Sequence, residues 1–453
     1  MMRPIRIELR RSNAAAVLLL VIVLGAGNIV TSYSWWAGYL QQFLQTLTAG
    51  MFVLAPLALA GGTVLGRREI RNRATGLMDS TGRPRWQRAF PAMAAIGLGS
   101  AAGYLLILAA GVIVTVATGG YLGPWGVAWA LIDALILAGA SWVGIAAGRA
   151  WPSPILPPAL AVSALVLQLL ASNLSATPTG QGPWAGLSLE GNPVPATPWE
   201  TPTTGALLAR LALAAGLLAA GFLLAAGRSW FTRAGAGVAL VAGLAGVVLI
   251  ATPGQAGKWR LDPAAQRLVC TDDDGPQVCV TAVNAFMLPE TTRDARRALA
   301  ALAKLPGAPT RAAEVRMNDV GNHSSEQWRR SGPLDEPGTV YFVLDRDPVR
   351  GWDPDLTENI VLGAGTFYRS CARSGDLPFA VAGAWLLGTD GIGFWTYGFG
   401  DVWEPIQPEV REHLRQLRAI PEAEQTARVV AMRDAALRCE PDLLPYLTGE
   451  AKP

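Results

Sequence analysis

The stretch WGVAWALIDALILAGASWVGIAA, residues 125–147, holds one ionisable side chain, Asp133, in 23 residues. A helix on the surface of a soluble protein shows water a polar stripe; this stretch has none and is apolar all round. About 20 apolar residues at helical rise cross the hydrocarbon core of a bilayer. The stretch therefore reads as a membrane span. Working outward from it, six more apolar runs appear at 13–30, 46–65, 90–117, 155–172, 206–226 and 234–252. Composition agrees: 51% of the 453 residues are hydrophobic and 16% charged, against roughly 25% charged in soluble domains. The expected fold class is a membrane all-α domain over 1–253 with seven spans, followed by an extracellular α+β domain over 254–453.

Charge separates the same two bodies. Residues 1–253 hold 15 Arg, no Lys and six carboxylates, a formal +9; residues 254–453 hold 22 basic and 28 acidic side chains, a formal −6. Nothing here forms the basic face that nucleic acid requires. The arginines also set orientation, because cytoplasmic connections carry the excess of Lys and Arg. Arg3, Arg6, Arg10 and Arg11 precede the first run. Arg67, Arg68, Arg71, Arg73, Arg83, Arg85 and Arg88 lie between or beside the second and third, Arg149 follows the fourth, and Arg228 and Arg233 separate the last two. The alternate connections 31–45, 118–124 and 173–205 contain no Lys or Arg. This pattern expects a cytoplasmic N-terminus and an outside C-terminal domain. Trp35, Trp36, Trp125, Trp151 and Trp230 fall near the expected interfaces, where aromatic belts form. The basic start and first apolar run also fit a signal peptide, but no small-x-small cleavage site ends the run.

All four cysteines, Cys270, Cys279, Cys371 and Cys439, lie in the expected outside domain, where disulfides persist. Residues 268–281 read as strand, turn, strand around Asp272-Asp273-Asp274-Gly275, and an Asp-Gly step is a strong hairpin signal. That hairpin brings Cys270 opposite Cys279 and leaves Cys371 to pair with Cys439. Sequence alone does not prove the connectivity, and four buried thiols are the alternative.

The segment 66–86, GRREIRNRATGLMDSTGRPRW, runs basic-Glu-basic, then Thr75, the apolar pair Leu77-Met78, Ser80, and Pro84 among further arginines. On charge alone it is an ordinary cytoplasmic loop. It resembles the coupling-helix loop of ABC-2 type permeases, with Arg68, Glu69, Thr75, Leu77, Met78 and Ser80 at the matching positions. The resemblance covers about residues 1–230, with six spans and a long outside loop before the sixth. The seventh span and the outside domain depart from the usual family layout and look like actinobacterial forms of it. The resemblance implies a subunit of a bacterial cell-membrane transporter, more an exporter than an importer. It also implies that the loop docks on a separate ATPase, which binds ATP and Mg, and that the chain works as a homodimer or with a second permease. No ATP engine is present in this chain: Gly257-Lys258 is followed by Trp259 rather than by the Ser or Thr of a phosphate-binding loop.

Inside the spans, Asp133 is the one deep carboxylate and Arg210 the one cation. Each costs at least about 2.5–3.5 kcal/mol there without a partner or water. Either the two pair or share a hydrated cavity, or Arg210 snorkels to the headgroups while Asp133 packs between helices. Asn28 and Gln168 in other spans either line the same cavity or serve as interhelical hydrogen bonders.

In the outside domain, Thr291 and Thr292 are expected to start a helix to about Leu305. Val340 to Leu344 reads as a buried strand, 356–373 and 378–387 as core helices, and Pro421 as the opening of a helix to about Cys439. Enzyme signatures are absent: His323 and His413 are the only histidines, and neither His-Glu-x-x-His nor Gly-x-Ser-x-Gly occurs. Ser324 beside His323 is adjacency in sequence, not a triad. No metal site or catalytic residue is expected. The alternative to a permease is a membrane-anchored extracellular sensor or binding protein.

Overall fold

A computed structural model describes residues 14–71, 84–174, 197–227, 229–250, 259–316, 336, 338–344, 346–347, 351–352, 356–367, 376–392 and 407–451. The chain divides into two compact units, Met1–Asp262 and Pro263–Pro453.

Unit 1 is a bundle of apolar helices: α1 (Ala14–Thr31), α2 (Leu40–Ala49), α3 (Met51–Arg71), α4 (Arg85–Ala117), α5 (Pro124–Ala150), α6 (Leu156–Leu174), α7 (Thr204–Ala226) and α8 (Trp230–Ile250). Four of them, α4, α5, α7 and α8, are long and apolar enough to cross a membrane, and the bent pair α2–α3 makes a fifth if taken as one span. The apolar helices α1 and α6 are shorter. A two-strand ribbon joins distant parts of the unit: β1 (Glu200–Pro202) runs antiparallel to β2 (Trp259–Leu261), with Thr201 opposite Arg260.

Helix α5 is the hub. It packs against α3 and α7 most extensively and also against α4 and α2, whereas α8 leans mainly on α7. Lipid tails are as apolar as Leu, so helices in a bilayer associate by close packing of small residues rather than by apolar burial. Two Gly-x3-Gly pairs meet at the α3–α5 crossing. A Cβ on Gly62 would sit 2.1 Å from the Ser141 carbonyl oxygen, and one on Gly66 2.2 Å from that of Ile145. Reciprocally, a Cβ on Gly144 would reach 2.1 Å from the Leu59 oxygen, and one on Gly148 2.2 Å from the Thr63 oxygen. The two backbones touch, and any side chain at these four positions forces them apart.

The expected single span at 46–65 is instead interrupted. α2 ends at Ala49 and α3 starts at Met51, with a 44° bend. Helix also extends outward into the expected 31–45 connection, through α2 and a single turn, Tyr33–Trp36. Two flaws in the ladder have named partners. Pro56 lies inside α3 and has no N–H to give the carbonyl four residues back. That carbonyl, on Phe52, accepts from Gln168 Nε2 of α6 at 3.3 Å. Asn28 Nδ2 of α1 donates to the Thr46 carbonyl at 2.9 Å, one turn before the break. Both side chains are thus interhelical hydrogen bonders at the irregular stretch of α2–α3.

Unit 2 is α+β. Its sheet has strand order β3 (Leu268–Cys270), β4 (Gln277–Thr281), β5 (Arg311–Glu314), β6 (Thr339–Phe342); the first pair is antiparallel and the rest parallel. Cys270 faces Cys279 across the hairpin and the two form a disulfide. Asp273 at the hairpin tip is paired with Arg296 of α9 (Leu288–Leu302), whose guanidinium holds the Asp273 carboxyl below the usual carboxylate range. Cys439 is also disulfide-bonded; its expected partner Cys371 lies outside the described residues.

Sequence and structure differ at two helix boundaries here. Helix α9 begins three residues before the expected Thr291, because a 3-10 turn, Ala282–Met287, feeds directly into it with Pro289 in its first turn. The expected 356–373 helix stops early as α10 (Leu356–Val361), since Gly363 and Gly365 adopt φ of 60° and 80°, left-handed values open to Gly but costly for other residues. The remaining helices are α11 (Asp376–Leu387), α12 (Gln407–Arg418), α13 (Glu422–Leu437), with Pro421 at its N-cap, and α14 (Leu444–Thr448).

Glu314, at the end of β5, is 1% exposed. It accepts from the Thr281 backbone N–H at 2.6 Å, the Thr281 hydroxyl at 2.9 Å and the Asn284 amide. No cation compensates it in these contacts, and burial pushes its carboxyl up to about 7.

Two measurements test this packing. Gly62→Leu and Gly144→Leu should each lower the detergent-solubilised melting temperature sharply, at a cost of about 1–3 kcal/mol or more for overpacking. Gly237→Leu, where a Cβ meets nothing within 4 Å, should leave it unchanged. For unit 2, the folded carboxyl of Glu314 binds its proton more tightly than the unfolded one does. Its contribution is full below about pH 4.5 and is lost as pH rises to about 7, with a slope of up to about 1.4 kcal/mol per pH unit. Denaturant midpoints read on unit 2 peptides should fall across that window, and Glu314→Gln should flatten the fall.

Candidate functional site

The site is built from four helices of unit 1 around Asp133. Asp133 is the tenth residue of α5, about 14 Å along the helix from Pro124. Arg210 is the seventh residue of α7. That helix is started by Thr203, whose hydroxyl accepts from the Ala206 N–H at 3.2 Å. Because α7 packs along α5, the two charges meet. Arg210 Nε donates to Asp133 Oδ1, and the pair is buried, Arg210 at 5% and Asp133 at 0% exposure. Of the two open readings of the sequence, snorkelling and pairing, the geometry is the pair.

The second carboxylate oxygen is also occupied. Oδ2 accepts from the Tyr104 hydroxyl of α4 at 3.1 Å and from the Thr48 hydroxyl of α2 at 3.1 Å. Thr48 stands two residues before the break at Gly50, so the network holds the end of α2 at the interruption. On the other side, the Arg210 guanidinium carbon lies 4.4 Å from the ring centroid of Trp129, a cation–π contact. Trp129 in turn packs on Trp259 of β2, with ring centroids 5.4 Å apart and planes 31° apart.

Each member is where its chemistry requires. A carboxylate taken from water needs its lone pairs filled, and three donors fill them here. A guanidinium that gives one edge to a carboxylate can still offer its flat face to an aromatic ring. What results is a buried hydrogen-bonded knot between α2, α4, α5 and α7. It fixes their relative rotation.

The other expected site residues are placed as follows. Asn28 and Gln168 bond to backbone carbonyls of α2 and α3 rather than to this network. Arg68 lies near the end of α3, and Glu69 is in the same helix with its side chain outside the description. Thr75, Leu77, Met78 and Ser80, like His323 and Ser324, lie outside the described residues. Three participants were missed from sequence. Trp129 is one helical turn from Asp133 on the same face, so its i, i+4 spacing was a usable signal. Tyr104 is a lone phenol inside an apolar span, and a buried hydroxyl usually finds a partner. Thr48 carries no such mark among its neighbouring threonines. Comparison with known proteins finds no match: no family model, no curated protein and no solved structure is similar to this chain.

Removing one partner should cost far more than removing both. Arg210→Met strands a buried carboxylate and is expected to destabilise the solubilised protein by roughly 3–5 kcal/mol. Asp133→Asn, which keeps partners for Thr48 and Tyr104, should cost less, and the double variant should recover much of the Arg210→Met loss. Thermal unfolding of the four proteins gives the coupling; additive losses would show that the two side chains do not act as a pair.

Proposed function

We propose that the chain is the permease subunit of an ATP-driven transporter in a bacterial cell membrane, an exporter by family resemblance. In this reading the N-terminus is cytoplasmic, unit 2 is extracellular, and a separate chain supplies the ATPase with its ATP and Mg. The observation that carries a transport role is the broken helix α2–α3 beside the Asp133–Arg210 knot. Discontinuous helices and intramembrane ionisable groups are the common marks of a substrate pathway. Seven spans follow if α1, of 18 residues, and α6, of 19, also cross; about 17 residues is the lower limit for a span.

The ATPase partner rests on the resemblance of the 66–86 segment and on the absence of a phosphate-binding motif from the sequence. One six-span pathway half needs a second, from another copy or a second permease. The competing reading is a membrane-anchored sensor. The specific observation in its favour is the β1–β2 ribbon, which ties the segment leading into unit 2 to the helices that hold the ion pair.

Affinity capture of the tagged chain from its native membranes separates the two. The permease reading expects an ATPase in the eluate. Glu69→Arg with Leu77→Asp should then lower its recovery by roughly tenfold or more, as like-charge contacts do at interfaces, with the chain itself at normal abundance. An ATPase retained by that variant removes the coupling assignment; a chain that never brings one down is the sensor.

A further inference from the structure

Trp259 is the residue whose placement goes beyond a transport pathway. It lies in β2, four residues before unit 2 begins at Pro263, and its ring packs on Trp129 of the helix bundle. β2 is held by β1 along three residue pairs and by Asp262, whose N–H donates to the Trp199 carbonyl at 2.8 Å. The Tyr121 hydroxyl donates to the Asp262 carboxylate at 2.9 Å. β1 leads through Thr203 directly into α7, which carries Arg210. Neither indole N–H, of Trp129 or of Trp259, has a hydrogen-bond partner. The rings are therefore positioned by their faces: Trp259 on Trp129, and Trp129 on the Arg210 guanidinium.

We propose that Trp259 is a positioning residue for the ion pair, and that the β1–β2 ribbon is a latch through which unit 2 controls it. With the latch closed, Trp259 presses Trp129 onto Arg210, Arg210 stays on Asp133, and Asp133 keeps Thr48 at the break between α2 and α3. A pull on the chain at Asp262, as when unit 2 engages a ligand, withdraws Trp259. Trp129 then gains freedom, the guanidinium loses a face contact, and the helix break loosens. This rests on the bundle being membrane-embedded and not on the ATPase assignment.

Hydrogen exchange of the full-length protein in liposomes tests the latch, and it needs neither ATPase nor substrate. Trp259→Ala should raise exchange at 48–54, around the break, by up to roughly tenfold, the scale of one lost aromatic pair. Trp259→Phe, which keeps a ring face, should restore most of the protection. A disulfide across the ribbon, from Thr201→Cys with Arg260→Cys, should slow exchange at the break below that of the unmodified chain, and reduction should reverse it. α8 and α9 should not change in any variant. The latch is wrong if Trp259→Ala leaves 48–54 unchanged. A rise at α8 and α9 along with 48–54 marks general unfolding. In that last case the cross-linked variant decides alone: a lock with no effect at the break overturns the proposal.

Discussion

Contact of backbone on backbone between α3 and α5 is the constraint on which the rest of unit 1 depends. It exists because Gly62, Gly66, Gly144 and Gly148 each face a carbonyl oxygen of the opposite helix. In water, apolar area would drive two such helices together at about 25 cal/mol per Å². In lipid that drive is gone, and close approach of small residues takes its place. A crossing this tight fixes the register of α3 on α5. It therefore fixes where α2, bent away at Gly50, delivers Thr48 to Asp133.

Seen from that crossing, the ion pair is a second fastening, set along α5 from the first. Gly144 and Gly148 occupy the C-terminal half of α5, and Asp133 its N-terminal half. The glycines bind α3 without specifying anything chemical, since any helix with small residues at that spacing would fit. The Asp133 network is selective, because it needs a cation, a phenol and a hydroxyl from three different helices. Buried pairs add little net stability over apolar packing. Their value lies in excluding other arrangements, which suits a bundle whose apolar helix faces resemble one another.

Much of this was legible in the sequence, and the limits have physical causes. The apolar runs marked the helices because each must be hydrophobic all round. Asp133 and Arg210 stood out because charges in such runs are costly, and the Asp-Gly turn placed Cys270 opposite Cys279. The break at Gly50 was hidden because Ala49-Gly50-Met51 is as apolar as its surroundings, and composition does not record direction. Pro56 was a visible warning of an irregular α2–α3, but not that Gln168 would fill the carbonyl it vacates. The β1–β2 ribbon was unreadable: strands of three residues separated by 56 positions leave no periodicity. The early end of α10 turned on two glycines whose left-handed backbone only coordinates reveal.

The two units bury their carboxylates among different partners. In unit 2, Glu314 is buried with three neutral donors, so its carboxyl can take up a proton near neutrality and remain hydrogen-bonded. Uncompensated charge there is relieved by the solvent's own acidity. In unit 1, Asp133 is met by a guanidinium and two hydroxyls from three other helices, so its contacts change when one of those helices moves relative to another. The carboxylate in unit 2 therefore responds to pH, whereas the contacts of the one in unit 1 depend on how α2, α4, α5 and α7 are placed. Trp129 lies over that guanidinium and is itself covered by Trp259, so the packing of the ribbon and the packing of the ion pair are continuous.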